Sequence, residues 1–258
     1  MTDQNYMLQA IQLAKQGEGW TNPNPMVGAV IVKNGRIIGK GYHKKCGELH
    51  AERNAIASLT ESAEGATIYV TLEPCCHVGS QPACTALILA HGIARVVVGS
   101  VDPNPIVAGK GLRILEEAGV EVVRDVMREE CDAINRHFFH YITTGKPYIV
   151  DGRRRAGESD SEYAVRRREL YATYAAVLAG TESDVPDESF AHFNGPVQAV
   201  GADEVVIGGH RPLLLEAGAL ACTDPDEWLR ELGKRKIDSL IVESDEAFER
   251  LSMACQKD

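Results

Sequence analysis

Val27-Gly28-Ala29-Val30-Ile31-Val32-Lys33-Asn34-Gly35-Arg36-Ile37-Ile38-Gly39-Lys40-Gly41-Tyr42 is the stretch from which the fold can be read. Val27 to Val32 is rich in β-branched residues, which suit a pleated strand. Asn34-Gly35 is the dipeptide that best tolerates the positive φ angles of a two-residue hairpin turn, and Arg36 to Tyr42 returns as the partner strand. Upstream, Met7, Ala10, Ile11 and Ala14 recur at helical intervals within Asp3 to Lys15, a helix closed by Gly17 and Gly19. Thr21-Asn22-Pro23-Asn24-Pro25 is a shaped loop, because each proline pushes the residue before it towards extended geometry. Downstream the pattern alternates. Helices are expected over His50 to Leu59, Cys84 to His91 and Gly111 to Ala118, with one longer helix over Met127 to Tyr141. Strands are expected over Ala66 to Leu72, Val96 to Val98 and Val120 to Val123. A hairpin followed by such alternation implies an α/β/α sandwich with helices on both faces of one sheet.

The 258 residues suffice for two cores, and the periodic signal weakens after Lys146-Pro147, so the expected division is 1–145 and 146–258. In the second part, strands are expected over Ala175 to Leu178, Val205 to Ile207 and Ser239 to Val242, and helices over Ser161 to Leu170 and Asp226 to Lys234. They suggest a second, smaller α/β element. A formal net charge of −10 gives no general attraction to a phosphate backbone, and no basic run is interleaved with aromatics, so no nucleic-acid partner is expected. Arg153 to Arg155 with Arg166 to Arg168 are interleaved with acids and read as solvated surface. No apolar run approaches the ~20 residues needed to span a bilayer, and Met1 to Gln16 lacks a signal-peptide core. The chain is therefore expected to be cytoplasmic, without a membrane partner. Seven unevenly spaced cysteines then point to a metal or to free thiols, since a reducing cytosol does not maintain disulfides. Cys46, Cys131, Cys222 and Cys255 are expected as ordinary packing or surface thiols.

His50-Ala51-Glu52, Pro74-Cys75 and Cys84 carry the chemistry. One imidazole and two thiolates make three zinc ligands with an open fourth position. A structural site would close that position with a fourth protein ligand. Zinc brings the pKa of a water in the open position towards neutrality, and Glu52, two residues from His50, can sit over it and carry protons. On this reading His50 lies in the first turn of its helix. Pro74 opens a second helix whose free N–H groups favour a thiolate at Cys75. Cys76 is the weaker candidate, because Cys75 follows the proline. A His-x-Glu followed by Pro-Cys and a further Cys resembles the zinc nucleobase deaminases, in which the Glu is the general acid/base and not a ligand. Those enzymes have two residues between the cysteines, whereas eight, Cys76 to Ala83, stand between Cys75 and Cys84.

A closer resemblance accounts for that gap. Thr21 to Gly28, Gly41-Tyr42-His43, His50-Ala51-Glu52, Tyr69 to His77, Cys84 and Asp102-Pro103-Asn104-Pro105 resemble the riboflavin-biosynthesis bifunctional deaminase/reductase family (RibD/RibG). The resemblance implies a cytidine-deaminase-like fold and one catalytic zinc on His50, Cys75 and Cys84, with Glu52 as proton shuttle. It implies hydrolysis of the 2-amino group of 2,5-diamino-6-ribosylamino-4(3H)-pyrimidinone 5′-phosphate, releasing ammonia. Asn24, His43 and His77 would line the ring pocket, with Asp102 and Asn104 near the ribose. Family members carry Lys or Arg where this chain has Ser80. Lys44, Lys45 or another base then substitutes at the phosphate, or the substrate is a related heterocycle of specialised metabolism.

The second part resembles the family's reductase half only as an eroded remnant. Ala156-Gly157-Glu158-Ser159, Leu178-Ala179-Gly180-Thr181 and Ser239 to Ser244 are its recognisable segments. Glu243 is followed by Ser244-Asp245 where paired glycines are expected near the nucleotide, and the chain stops sooner than a full reductase. NADPH is not expected as a cofactor, and the remnant is expected to support folding or a homo-oligomer. Two other classes of function compete with the small-molecule deaminase. A nucleic-acid deaminase is opposed by the charge, and a non-catalytic scaffold is opposed by the retention of Glu52 beside three ligands.

Overall fold

The structure is a computed structural model that describes residues 1–76, 82–104, 108–178, 213–215 and 224–255, with 213–215 and 255 described by main chain only. His77, Ser80, Cys222 and the strand expected over Val205 to Ile207 lie outside these residues. The chain forms two compact units, Met1–Thr21 with Pro25–Phe139 and Asn22–Asn24 with His140–Asp258.

The first unit begins with α1 (Asp3–Ala14) and a 3₁₀ turn (Lys15–Gly17), followed by the hairpin strands β1 (Gly28–Lys33) and β2 (Arg36–Tyr42). It continues through α2 (Ala51–Ala57), β3 (Thr67–Leu72), α3 (Cys84–Ala90), β4 (Arg95–Ser100), α4 (Lys110–Glu117), β5 (Glu121–Val123) and α5 (Arg128–Ile134) to α6 (Arg136–Thr144), within which the units divide. Thr2 opens α1 with a capping box: its side chain accepts from the Asn5 N–H while the Asn5 side chain reaches back to the Thr2 N–H. Asn34 (φ 51°) and Gly35 (φ 74°) both take the left-handed conformation that a primed hairpin turn requires.

The strand order is β2-β1-β3-β4-β5. β1 runs antiparallel to both β2 and β3, whereas β3, β4 and β5 are parallel. The two faces bury alternate residues of the same strands. Ala29, Ile31, Ile68, Val70, Val96 and Val98 face Ala51 and Ala55 of α2, Ile88 of α3, and Leu112 and Leu115 of α4. Val30, Val32, Tyr69 and Val97 face Tyr6, Met7, Ala10 and Ile11 of α1 and Cys131 of α5. Covering both faces is why these strands read as nearly continuous apolar runs. Each buried side chain the size of Ile or Met contributes about 1.5–3 kcal/mol.

One expectation fails here. The single long helix over Met127 to Tyr141 is two helices, α5 and α6, parted at Asn135 (φ −117°, ψ 20°). The Asn135 side chain is fully buried and holds the loop before β1: its amide oxygen accepts from Met26 N at 2.7 Å and its amide nitrogen donates to Met26 O at 2.8 Å. An asparagine that bonds main chain elsewhere competes with helix continuation.

The second unit contains β6 (Tyr148–Asp151), α7 (Asp160–Thr173), β7 (Ala176–Leu178), β8 (Leu213–Leu215), α8 (Pro225–Lys234), β9 (Ser239–Val242) and α9 (Asp245–Cys255). Its sheet has the order β6-β9-β7-β8 with every recorded pairing parallel. Leu178, Leu240 and Val242 pack on Leu229 and Leu232 of α8 and Leu251 of α9, while Val177 and Ile241 pack on Tyr171 of α7. β6, β8 and α9 are not among the elements expected from the sequence. The arginines expected on solvated surface are largely paired, and two of them are mostly buried. Arg166 (14% exposed) is held by Glu158, and Arg167 (13% exposed) by Glu243. Both guanidinium groups also lie over the Tyr163 ring.

Candidate metal centre

The sheet topology collects the chemistry at one edge. Because β1 opposes β3, the start of β1 lies beside the end of β3, where Gly28 N donates to Thr71 Oγ1 at 3.1 Å. β2 ends at the same edge, with His43 N bonded to Val27 O. β3 and β4 are parallel and also end there, Leu72 beside Ser100. Residues just beyond carboxyl ends of parallel strands are where α/β sheets place their sites. His43, Glu73 to Cys76, and Asp102 to Asn104 all occupy that position.

His50 stands immediately before α2 as its N-cap, in extended geometry (φ −66°, ψ 162°), and so lies just outside the first turn in which it was expected. Cys75 corrects a second expectation. Glu73 to Cys76 follow β3 without forming a helix, and the helix that begins near the site is α3, whose first residue is Cys84. The thiol at Cys75 still meets a helix start, because the otherwise unpaired N–H of Cys84 donates to Cys75 Sγ at 3.3 Å. His50 Nδ1 lies 3.6 Å from Cys75 Sγ and 3.5 Å from Cys84 Sγ. The donor atoms of all three side chains fall within 4.8 Å of one another. Cys76 is not part of this group.

The electrostatics favour a cation. Hydrogen bonding from the Cys84 thiol, aided by His50 and the Cys84 N–H, holds the Cys75 thiol well below the usual thiol range, while the same bond and burial push the Cys84 thiol up. His50 is raised, first by its hydrogen bond to Cys75. Without a metal the group thus carries one thiolate held by protons, and a dication can take the place of those protons. One imidazole and two thiolates are the donor set of a catalytic zinc with an open position.

Glu52, the second residue of α2, is 3% exposed, and burial raises its carboxyl above the usual carboxylate range. It is hydrogen-bonded to Cys84, so the Glu52 carboxyl lies beside the clustered donors. His43 is likewise buried (3% exposed), and burial lowers its pKa, keeping it neutral. Its Nδ1 lies 3.1 Å from the Leu49 carbonyl, which can only accept, so this nitrogen carries the proton. Its ring meets the His50 ring edge-on, with centroids 5.7 Å apart. Asp102 and Asn104 form a turn in which Asp102 Oδ1 accepts from Asn104 N at 2.9 Å. Asn24 groups with the second unit, and His77 lies outside the described residues.

Glu73 is the residue of this edge that the sequence reading passed over. It is 5% exposed, and its carboxylate accepts from three main-chain N–H groups, those of Asp102 (3.3 Å), Gly109 (2.9 Å) and Gly111 (2.9 Å). The signal available was its place, an acid at the end of an apolar strand directly before Pro74-Cys75.

Comparison with known proteins agrees with this geometry. The profile of the cytidine and deoxycytidylate deaminase zinc-binding region matches residues 1–100. The riboflavin biosynthesis protein RibD of Actinobacillus pleuropneumoniae is 40% identical over 94% of this chain and 78% of its own length. RibD of Escherichia coli is 46% identical over 73% of this chain, but only 55% of its own length is spanned. The diaminohydroxyphosphoribosylamino-pyrimidine deaminase of Buchnera aphidicola subsp. Schizaphis graminum is 48% identical over 57% of this chain and is covered completely. Among solved structures, the diaminohydroxyphosphoribosylaminopyrimidine deaminase/5-amino-6-(5-phosphoribosylamino)uracil reductase of Thermotoga maritima is 31% identical with a TM-score of 0.78, covering 97% of this chain and 83% of that one. The sandwich and its centre define a zinc-dependent aminohydrolase of the cytidine-deaminase fold. Within that class, the chain belongs to the RibD family of riboflavin-biosynthesis proteins.

Proposed function

We propose that this chain hydrolyses the 2-amino group of 2,5-diamino-6-ribosylamino-4(3H)-pyrimidinone 5′-phosphate, with His50, Cys75 and Cys84 holding one zinc and Glu52 moving the protons. The observation that carries this reading is the buried Glu52 carboxyl hydrogen-bonded beside the three clustered donors. Zinc, when bound, supplies the Lewis acidity that makes a water nucleophilic near neutral pH. Glu52 takes the first proton of the attacking water and passes it to the ring nitrogen, then carries the second, from the hydroxyl now on the ring carbon, to the departing amino group. Amine and water thus become carbonyl and ammonia. Burial suits Glu52 to this traffic, because a raised pKa brings a carboxyl nearer the pH at which it must both accept and donate. His43, neutral and held by Leu49, orients the ring with Asn24 and His77, while Asp102 and Asn104 meet the ribose.

We assign the deaminase to residues 1–145 and treat 146–258 as a reductase-like unit without NADPH chemistry, in a cytoplasmic homo-oligomer. The support for the absence of NADPH chemistry is at the carboxyl end of β9. There the Glu243 carboxylate is engaged by Arg167 at 2.7 and 2.8 Å and by the Tyr171 hydroxyl at 2.6 Å, and Asp245 pairs with Arg153. A nucleotide bound beyond these strands would have to displace that network. The deciding experiment is ammonia release by the zinc-loaded protein from the phosphorylated diaminopyrimidine and its dephosphorylated form, with NADPH titrated in parallel. Turnover of the phosphorylated compound without NADPH binding is expected. Turnover of neither compound would overturn the substrate assignment.

A further inference from the structure

We infer that Glu73 is a positioning residue, tying the main chain that carries Asp102 and Asn104 to the strand end that carries Cys75. This inference rests on the reading of Asp102 and Asn104 as substrate contacts. Glu73 directly follows β3 and its own N–H continues the sheet, donating to Ser100 O at 2.9 Å. Its backbone is therefore fixed, two residues before Cys75. Its side chain turns to the segment beyond β4 and the start of α4. Oε2 accepts from Asp102 N and Gly109 N, and Oε1 from Gly111 N. Asp102 Oδ1 accepts from Asn104 N, Asn104 O accepts from Ala108 N at 2.8 Å, and Gly109 returns to Glu73. One buried carboxylate thereby closes a ring of hydrogen bonds around the two substrate-facing positions. Gly111 completes the contact, since a Cβ there would overlap the Pro74 carbonyl oxygen and push α4 away from the residue before the ligand.

Glu73 also satisfies N–H groups at the start of α4, and a cap alone would explain part of this geometry. The two roles separate in kinetics. A cap affects stability, whereas a positioning residue affects how well the substrate is held by groups displaced from the metal. An acid is suited to the task because only a carboxylate offers two oxygens and no donor to three N–H groups. An amide of the same size would turn its NH₂ against at least one of them.

The test compares Glu73→Gln, Asp102→Ala and the double variant as full-length zinc-loaded proteins. The readouts are KM and kcat with the phosphorylated diaminopyrimidine, zinc per chain, and Tm. Glu73→Gln is expected to raise KM about tenfold, the equivalent of one charge-assisted hydrogen bond, with kcat changed by less than about threefold and zinc retained. The double variant should raise KM by less than the product of the two single effects, because Glu73 acts in part through Asp102. A rise in KM for Asp102→Ala without one for Glu73→Gln overturns the inference while leaving Asp102 as a substrate contact. An unchanged KM in Asp102→Ala overturns the substrate reading itself. A lowered Tm with unchanged KM makes Glu73 a cap only. Should Glu73→Gln fail to fold, Glu73→Asp, whose carboxylate is one methylene shorter, carries the same KM criterion.

Discussion

The main-chain N–H of Cys84 donates to the Sγ of Cys75 across 3.3 Å, so one ligand residue stabilises the ionised form of the other before any metal arrives. With the Cys84 thiol donating as well, Cys75 is the thiolate of the pair and Cys84 keeps its proton. Metal-free protein at pH 7 should therefore show ultraviolet thiolate absorbance that Cys75→Ser removes and Cys84→Ser retains, and that fades on acidification. Equal loss in both variants would contradict the asymmetry.

Glu52→Gln should keep zinc at one per chain and leave Tm nearly unchanged, because the amide preserves the size of the side chain. Ammonia release should fall by at least 10²–10⁴, roughly the contribution of a positioned acid/base. A variant retaining a tenth of wild-type kcat would remove Glu52 from its assigned role.

Asn135→Ala should cost about 2–4 kcal/mol, since it leaves both the N–H and the carbonyl of Met26 buried without their partners. Chemical denaturation with an unchanged m-value would measure this cleanly. A cost under about 0.5 kcal/mol, typical of surface positions, would mean that water replaces the side chain.

Asp3 joins α1 to the sheet, accepting from both terminal nitrogens of Arg95 (3.0 and 2.8 Å) and from the Tyr69 hydroxyl (2.8 Å). The Arg95 guanidinium, followed by the Tyr69 bond, lowers the Asp3 carboxyl below its ordinary value. A depressed folded pKa stabilises above the unfolded value and loses that contribution as pH falls through the folded one. Protein stability should thus decline below about pH 4 partly through Asp3, and Asp3→Asn should flatten that decline. The side chain is 35% exposed, so screening limits the effect to about 0.5–1 kcal/mol at neutral pH. Identical acid profiles for both proteins would exclude the contribution.

The first unit was legible because its signals are local. The Asn34-Gly35 turn, the apolar strand runs and the spacing of His50, Glu52, Cys75 and Cys84 each state one structural requirement. What escaped was non-local. Nothing around Asn135 announces that its amide is needed at Met26, more than a hundred residues away in the chain, so the helix was read straight through. Glu73 escaped for the same reason, since its three partners lie beyond β4. In the second unit Arg166 and Arg167 read as surface because charge alone does not reveal a carboxylate placed by another segment, as Glu243 is by β9. β6 and β9 are four-residue strands, too short for periodicity to separate them from loop, and only β9 was recognised.

His50 and Cys84 stand 34 residues apart, with Cys75 between them. A metal joining the three is a cross-link over short loops, whose closure entropy is small, and it does not bridge distant parts of the sheet. Withdrawing it should therefore loosen the main chain around Cys75 and Cys84 by local opening, while the cores on both faces of the sheet stay protected from hydrogen exchange. The protein would then survive periods of zinc scarcity folded and silent, and recover on rebinding without refolding.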